Sequence, residues 1–473
     1  MLRFLWICFL IPGVAFMVQA QEELWTLQRC IDRAEQKNIS LNISSLEVES
    51  ADIQRKRAAH SRYPNLNGTA SFGYNFGRTI DPTSNEFIAT SLGFNSISLN
   101  AGMTLFAANR INNSIRQAKV NKEAALATYE QARQDLALQV ANLYLNALLA
   151  KENLAIAQAQ YDNTLNQLKR NRILAREGAL NKATLLDFEA EEASQAQNLI
   201  TAENTLQLAL LQLKQALLIP ADEAFDIIKP DFQINPSAYE IQASKYVYQS
   251  ALSTQYSIKA AELNLESARF EKRIAQAAFY PSLTLGGNLN SNYSTQGRTL
   301  LGTDLVTQQF PASFNGETGI VSFASPQPIF EDANWATQID ENLGYGFGLQ
   351  LNVPIYTNYA NAASYQLAKI SEVRAEKQLN LQEQSVRIDV ERAVTDLKAA
   401  SKSYRASERS FEASDVAYQN ALKQFELGTI SSFDLFNVQQ RQQTAQQQLL
   451  LAKYDYLFRQ KIVDFYLGQP IKL

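Results

Sequence analysis

Arg176-Glu177-Gly178-Ala179-Leu180 and Glu426-Leu427-Gly428-Thr429-Ile430 occupy the same place in a stretch that the chain contains twice. Residues 97–220 align with 347–470 without a gap at a fixed offset of 250, so Lys119 corresponds to Lys369, Gly178 to Gly428 and Pro220 to Pro470. Each copy reads short strand, very long helix, glycine turn, long returning helix, proline. A period this long marks a duplicated domain half and not a solenoid, whose repeats run about 20–50 residues.

The helix before each turn carries apolar residues spaced alternately four and three. In the first copy the seam is Leu136, Val140, Leu143, Ala147, Ala150, Leu154, Ala157, Tyr161, Thr164, Leu168, Asn171 and Ala175. In the second it is Val386, Val390, Ala393, Leu397, Ala400, Tyr404, Ser407, Phe411, Ser414, Tyr418, Ala421 and Phe425. A strict seven-residue repeat keeps a narrow seam against a neighbouring helix and implies left-handed supercoiling. No proline or glycine interrupts 109–175 or 360–425. At ~1.5 Å per residue each helix would span about 100 Å, so the expectation is an elongated molecule.

Upstream of the first copy, 22–63 reads as a short helix and then a longer one. The longer part recurs at 238–280 with an offset of 217: Glu49-Ser50-Ala51 matches Glu266-Ser267-Ala268, and Tyr63-Pro64 matches Tyr280-Pro281. Proline is excluded from helix interiors and pushes the preceding residue toward extended geometry. Both Tyr-Pro pairs therefore predict a helix-to-strand transition. The offset grows from 217 to 250, so the second half holds 33 extra residues, expected in its hairpin loop at 296–343.

Four segments alternate with period two. Leu66, Gly68, Ala70, Phe72, Tyr74 and Phe76 share one face of the first, and Ile97, Leu99, Ala101, Met103 and Leu105 one face of the second. Leu283, Leu285 and Leu289 do so in the third, and Tyr345, Phe347, Leu349, Leu351, Val353 and Ile355 in the fourth. Two structures fit: a half-buried sheet on a soluble core, or a membrane barrel with its apolar face to lipid. Three features favour the barrel. The runs are long enough for a tilted span, ~10 residues. Aromatic residues (Phe72, Tyr74, Phe76, Phe94, Tyr293, Tyr345, Phe347) gather near the loop ends, and no Lys, Arg, Asp or Glu falls within the runs. Four strands cannot close a barrel, because about eight is the usual minimum. An open edge in lipid leaves backbone groups unsatisfied, so a barrel requires several chains.

The remaining features bound the function. Arg3, the apolar run Phe4 to Met17 and Val18-Gln19-Ala20 read as a secretory signal at 1–20. The domain division expected is a first repeat at 21–220 (strand hairpin 64–107, long helices 109–218), a linker at 221–237, and a second repeat at 238–473. That second repeat has one helix, a strand hairpin at 281–356 with the outer loop 296–343, and long helices over 360–468. The linker carries Pro230 and Pro236 just after Pro220. Cys8 leaves with the signal and Cys30 stays alone, so no internal disulfide forms. The formal net charge of -4 argues against a nucleic-acid partner. His60 is the only histidine. One His and one mature Cys make neither a His/Cys metal cluster nor a nucleophile-base pair, so neither an enzyme nor a cofactor is expected. The basic run Lys169, Arg170, Arg172 and Arg176 reads as a complement to the helix dipole.

On this order of elements, the Tyr-Pro pairs, the Val353-Pro354-Ile355-Tyr356 strand exit and the two turns, the mature chain resembles the outer-membrane efflux proteins, the TolC-like exit ducts of Gram-negative bacteria. The resemblance implies a mainly α fold with a membrane β-barrel, its four strands per chain shared in a twelve-stranded barrel by a homotrimer. It also implies a hollow α-helical cylinder across the periplasm, in contact with outer-membrane lipid through the barrel. The function implied is a passive exit duct for small molecules, gated at its helical tip and joined to a periplasmic adaptor and an inner-membrane pump. Gly178, Ala179, Leu180, Asn181, Gly428, Thr429, Ile430 and Ser431 match the tip that meets the adaptor, with Leu180 and Ile430 as apolar anchors. Thr184, Asp187, Asp434 and Asn437 match the pore constriction, with one acidic ring kept and the other neutral. A carboxylate in a helix's first turn is also favourable in itself. A secreted coiled-coil stalk or adhesin would explain the signal and heptads, but not four uncharged amphipathic strands; a periplasmic adaptor would need a compact β domain.

Leu99→Arg or Leu349→Arg should lower outer-membrane levels, at a cost of about 2–4 kcal/mol near the bilayer midplane. Asn100→Arg and Gln350→Arg should be tolerated better. Equal loss in all four variants, measured by fractionation, would overturn the assigned alternation.

Overall fold

The computed structural model describes residues 24–80, 85–89, 91–230 and 243–469. The expected signal at 1–20, linker residues 231–237 and Pro470 lie outside the described residues. The chain opens with α1 (Leu27–Lys37) and α2 (Ile39–His60), then β1 (Asn65–Asn75), β2 (Arg78–Ile80), β3 (Phe87–Ala89) and β4 (Leu92–Phe106). The helices α3 (Arg110–Arg176) and α4 (Lys182–Ala216) complete the first half. The second half holds α5 (Ser244–Thr254), α6 (Tyr256–Ala277), β5 (Ser282–Ser294), β6 (Arg298–Phe314) and β7 (Glu317–Asp332). It ends with α7 (Trp335–Glu341), β8 (Gly344–Asn352), α8 (Ala360–Glu426) and α9 (Ser432–Tyr466).

The duplication reaches the element boundaries. Adding 250 to the bounds of α3 and α4 gives those of α8 and α9, and adding 217 to α1 and α2 gives α5 and α6. The single helix expected between 238 and 280 is therefore two. It breaks at Gln255 as the first half breaks at Asn38, both residues extended, with ψ of 118° and 124°. Asn38 Oδ1 then accepts from Leu41 N at 2.9 Å and restarts the helix. The outer loop expected over 296–343 is also largely regular: β6 and β7 pair as one long antiparallel hairpin, followed by α7. Its prolines, Pro311, Pro326 and Pro328, fit because each strand of a two-stranded sheet has a free edge, where a missing N–H is harmless.

The chain divides into two compact units. One comprises Asp52–Val120 and Glu266–Arg374, and holds a four-stranded antiparallel sheet in the order β1-β4-β5-β8. Its register makes the two faces continuous. Gly68, Leu99, Leu289 and Tyr345 form one row and Leu66, Ala101, Gly287 and Phe347 the next. On the other face Asn67, Asn100, Asn288 and Gly346 line up, beside Thr69, Ser98, Asn290 and Gly344. The apolar face is uncovered, with Leu66, Tyr345, Phe347, Leu349 and Leu351 all exposed. A sheet half-buried on a core of its own is thereby set aside.

The other unit, Met1–Ala51, Asn121–Leu265 and Ala375–Leu473, contains two equivalent cores. Leu27, Cys30, Ala34 and Leu41 pack on Leu136, Val140 and Leu213. Val247, Ala251 and Ile258 pack on Val386, Val390 and Val463. Every residue of both heptad seams is buried or half-buried. Cys30 is 0% exposed and stands where the second core has Val247; burial pushes its thiol up to about 12. It behaves as a small hydrophobe. Around the first core the chain is clamped. Trp25 bridges Ile227 in parallel, Tyr144 Oη lies 2.7 Å from the Ile228 carbonyl, and Lys151 Nζ donates to Asp226 Oδ2 at 2.6 Å and Ile227 O at 2.9 Å.

Cys30→Val should leave the thermal midpoint nearly unchanged, since volume-conserving swaps cost less than ~1.5 kcal/mol. Tyr144→Phe should lower stability by about 1 kcal/mol, because it removes the hydroxyl that reaches the half-buried Ile228 carbonyl. Circular-dichroism melts of the two variants check both expectations.

Candidate functional site

Both turns close in the same way. The N–H of Gly178 donates to Ala175 O at 3.2 Å and that of Ala179 to Leu174 O at 2.8 Å. The N–H of Gly428 donates to Phe425 O at 2.9 Å and that of Thr429 to Gln424 O at 3.0 Å. This double bond pattern satisfies the last carbonyls of α3 and α8 and needs a left-handed residue at its centre. Gly178 and Gly428 supply it with φ of 77° and 72°. Asn181 and Ser431 then cap the returning helices. Asn181 Oδ1 accepts from Thr184 N at 2.7 Å, and Ser431 Oγ from Asp434 N at 3.2 Å.

Of the expected constriction residues, Asp434 has a definite local task. Its Oδ2 accepts from Ser431 Oγ at 2.7 Å and from Ser431 N at 3.3 Å, completing a capping box. Those two hydrogen bonds hold its carboxyl below the usual range. Asp187 joins the two copies: Ser432 Oγ donates to its Oδ2 at 2.8 Å. Thr184 is half-buried, and Asn437 is exposed on α9.

The segments after the two turns are brought together by an aromatic cluster. Phe188 is fully buried with Leu168, Ala421 and Leu435, and its ring meets Phe436 edge-on at 5.0 Å and Phe425 at 5.6 Å. Arg170, from the basic run, pairs with Glu426 at 2.7 Å, and Arg172 with Glu189 at 3.1 Å. The first pair joins the two copies, the second joins α3 to α4 within one copy, and, being exposed, both contribute little stability.

The apolar surface at the turns differs from the expectation. Leu180 and Ile430 are half-buried, and Ile430 packs on the aromatic cluster. The open apolar side chains are Leu427, 79% exposed, and Phe433, 72% exposed, with Ile173 and Leu186 also exposed. Leu427 lies in the turn just past the end of α8, and helix phase explains Phe433. Leu435 is buried, and a residue two positions away lies ~200° round the helix, so Phe433 faces outward. Ile173 stands in the same relation to the seam residue Asn171, and that offset was available in the sequence.

Beyond the rings the contact between α4 and α9 is made by amides. Buried Gln195 donates Nε2 to Glu191 Oε1 at 2.8 Å and lies 3.4 Å from Gln443 Oε1, while Gln439 Nε2 reaches Glu191 Oε1 at 3.5 Å. The Oε1 atoms of Gln195 and Gln439 have no hydrogen-bond partner among the described residues.

A model of the family described as outer membrane efflux protein matches residues 30–217 and 247–469. Outer membrane protein TolC of Vibrio cholerae is 22% identical over 395 residues, covering 83% of this chain and 79% of that protein. Cation efflux system protein CusC of Escherichia coli is 23% identical over 440 residues, 90% of this chain and 82% of that one. Among solved structures, the outer membrane protein VceC of Vibrio cholerae has the same fold, with a TM-score of 0.73 at 16% identity over 94% of this chain and 96% of that chain. The chain belongs to the outer membrane efflux protein family.

Proposed function

We propose that this outer-membrane protein is the exit duct of a tripartite export system. Three copies share one barrel, and the long helices assemble into a hollow cylinder that reaches into the periplasm. The observation that carries this reading is the sheet. It is uncharged, apolar on one open face, and bounded by two strands, β1 and β8, that have a partner on one side only. Pairing β8 of one copy with β1 of the next satisfies both edges, and three copies of four strands give twelve, within the size range of closed outer-membrane barrels. Asparagine, serine, threonine and glycine then line the lumen, which suits a passive conduit for small molecules.

The helical turns are the gate and the docking site in this reading. A resting duct must not leak, so the tip closes until an adaptor binds the open state better than the closed one. Leu427 and Phe433, with the backbone around Gly178 and Gly428, are the surface such an adaptor grips, while Asp187 holds the two turns in register through Ser432 and Asp434 caps α9. An inner-membrane pump supplies the cargo. The family is one of channels and not of enzymes.

Mass measurement in mild detergent should give three chains, and the purified protein should conduct ions across planar bilayers; a stable, non-conducting monomer would overturn the reading. At the tip, Leu427→Asp with Phe433→Asp should reduce adaptor pull-down and export by about tenfold or more, the scale of a buried apolar anchor, with trimer and melting curve unchanged. Gly428→Val should weaken docking too, because a left-handed β-branched residue costs roughly 1–2 kcal/mol although nothing lies within 4 Å of the added Cβ. Normal export by all of these variants would place docking elsewhere.

A further inference from the structure

We infer that the foot of the sheet holds a phosphate-binding site for a glycerophospholipid of the inner leaflet. A cavity of about 290 Å³ opens between the end of β4 and the start of α3. Arg62 and Arg110 line it together with Met103, Leu105, Phe106 and Ile111, and no carboxylate does. Arg62 Nη2 donates to Asn112 Oδ1 at 2.7 Å, and Asn112 Nδ2 donates in turn to Asn109 Oδ1 at 3.0 Å. That chain fixes one arm of the guanidinium and leaves its other donors available. Among the described residues neither arginine pairs with an acid. Two guanidiniums without a counter-ion over an apolar wall are the chemistry that takes a phosphate diester carrying acyl chains.

The level of the site supports this ligand. Strands β1, β4, β5 and β8 carry no charged residue, so Arg62 and Arg110 are the first charges beyond the β1–β4 pair. Exposed Tyr63, Phe106, Tyr280 and Tyr356 cluster at the same ends of the strands, as aromatic residues do at a membrane–water interface. These ends lead into the helices, so the site faces the periplasmic leaflet; this step rests on the orientation proposed above.

The duplication argues that the arginines are not there for the fold. Position 62 + 217 is Phe279 and position 110 + 250 is Ala360. The same strand-to-helix junction is thus built in the second half without either cation.

The test is native mass spectrometry of the full detergent-extracted protein. Wild type, Arg110→Gln and Arg62→Gln/Arg110→Gln are incubated with phosphatidylglycerol, with diacylglycerol of the same chains, or with inorganic phosphate. Wild type should retain phosphatidylglycerol, and both variants should lose it by about tenfold, the factor expected for charge-assisted pairs. Diacylglycerol should not be retained. Equal retention by variants and wild type, equal retention of diacylglycerol, or displacement of the lipid by low inorganic phosphate would each overturn the inference. If the double variant fails to insert, Arg110→Gln decides, because the Arg110 side chain makes no hydrogen bond among the described residues. Bilayer conductance of the same samples separates failure of this site from failure of the duct reading, since conductance should survive both substitutions.

Discussion

A backbone N–H or C=O left unpaired in hydrocarbon costs several kcal/mol, and the sheet of this chain ends on two strands whose outer edges present such groups in rows. Much else in the sequence answers to that constraint. The strands carry no charge, because nothing in a bilayer would compensate one. Apolar residues and glycines alternate with amides and hydroxyls, because only one face meets lipid. In the duct proposed above, pairing between copies is what closes those edges.

The second constraint is the long helix. A helix of 67 residues buries only a narrow stripe, and the heptad spacing keeps that stripe on one neighbour. Alanine at many seam positions lets the backbones approach, while the two cores near α1 and α5 add the bulk that fixes the returning helices. Tyr144, Lys151 and Asp226 then tie the segment at 225–228 to α3 and to the start of the chain, where apolar contact alone would leave main-chain groups unpaired.

Much of this was legible in the residues. The seams from Leu136 to Ala175 and from Val386 to Phe425 are buried or half-buried along their length, and the Tyr-Pro pairs follow their helices where proline geometry requires. The missed features share a cause, the lack of a distinctive local signal. The break at Gln255 carries no glycine or proline, and becomes readable only beside Asn38 in the other half. The β6–β7 hairpin has only the three-residue strands β2 and β3 as its counterpart in the first half, and its prolines resemble those of an irregular loop until its edges are known. At the turns, proximity to glycine pointed to Leu180 and Ile430, whereas the exposed apolar side chains are Phe433, set outward by its angular position on α9, and Leu427, in the turn itself just past the end of α8.

The amide contacts between α4 and α9 give this helix pair a graded stiffness. Where Phe188 sits among Phe425, Phe436 and Leu435, axial sliding would lift each ring out of its socket, and close packing resists that strongly. At the amides, Gln195 Nε2 has two acceptors within reach, Glu191 Oε1 and Gln443 Oε1, Glu191 Oε1 is also reached by Gln439 Nε2, and the carbonyl oxygens of Gln195 and Gln439 are unused among the described residues. A small shift there exchanges one amide partner for another at nearly constant energy. The pair is therefore stiff against shear at the rings and compliant at the amides, a mechanical gradient written by side-chain chemistry onto a backbone that is regular throughout.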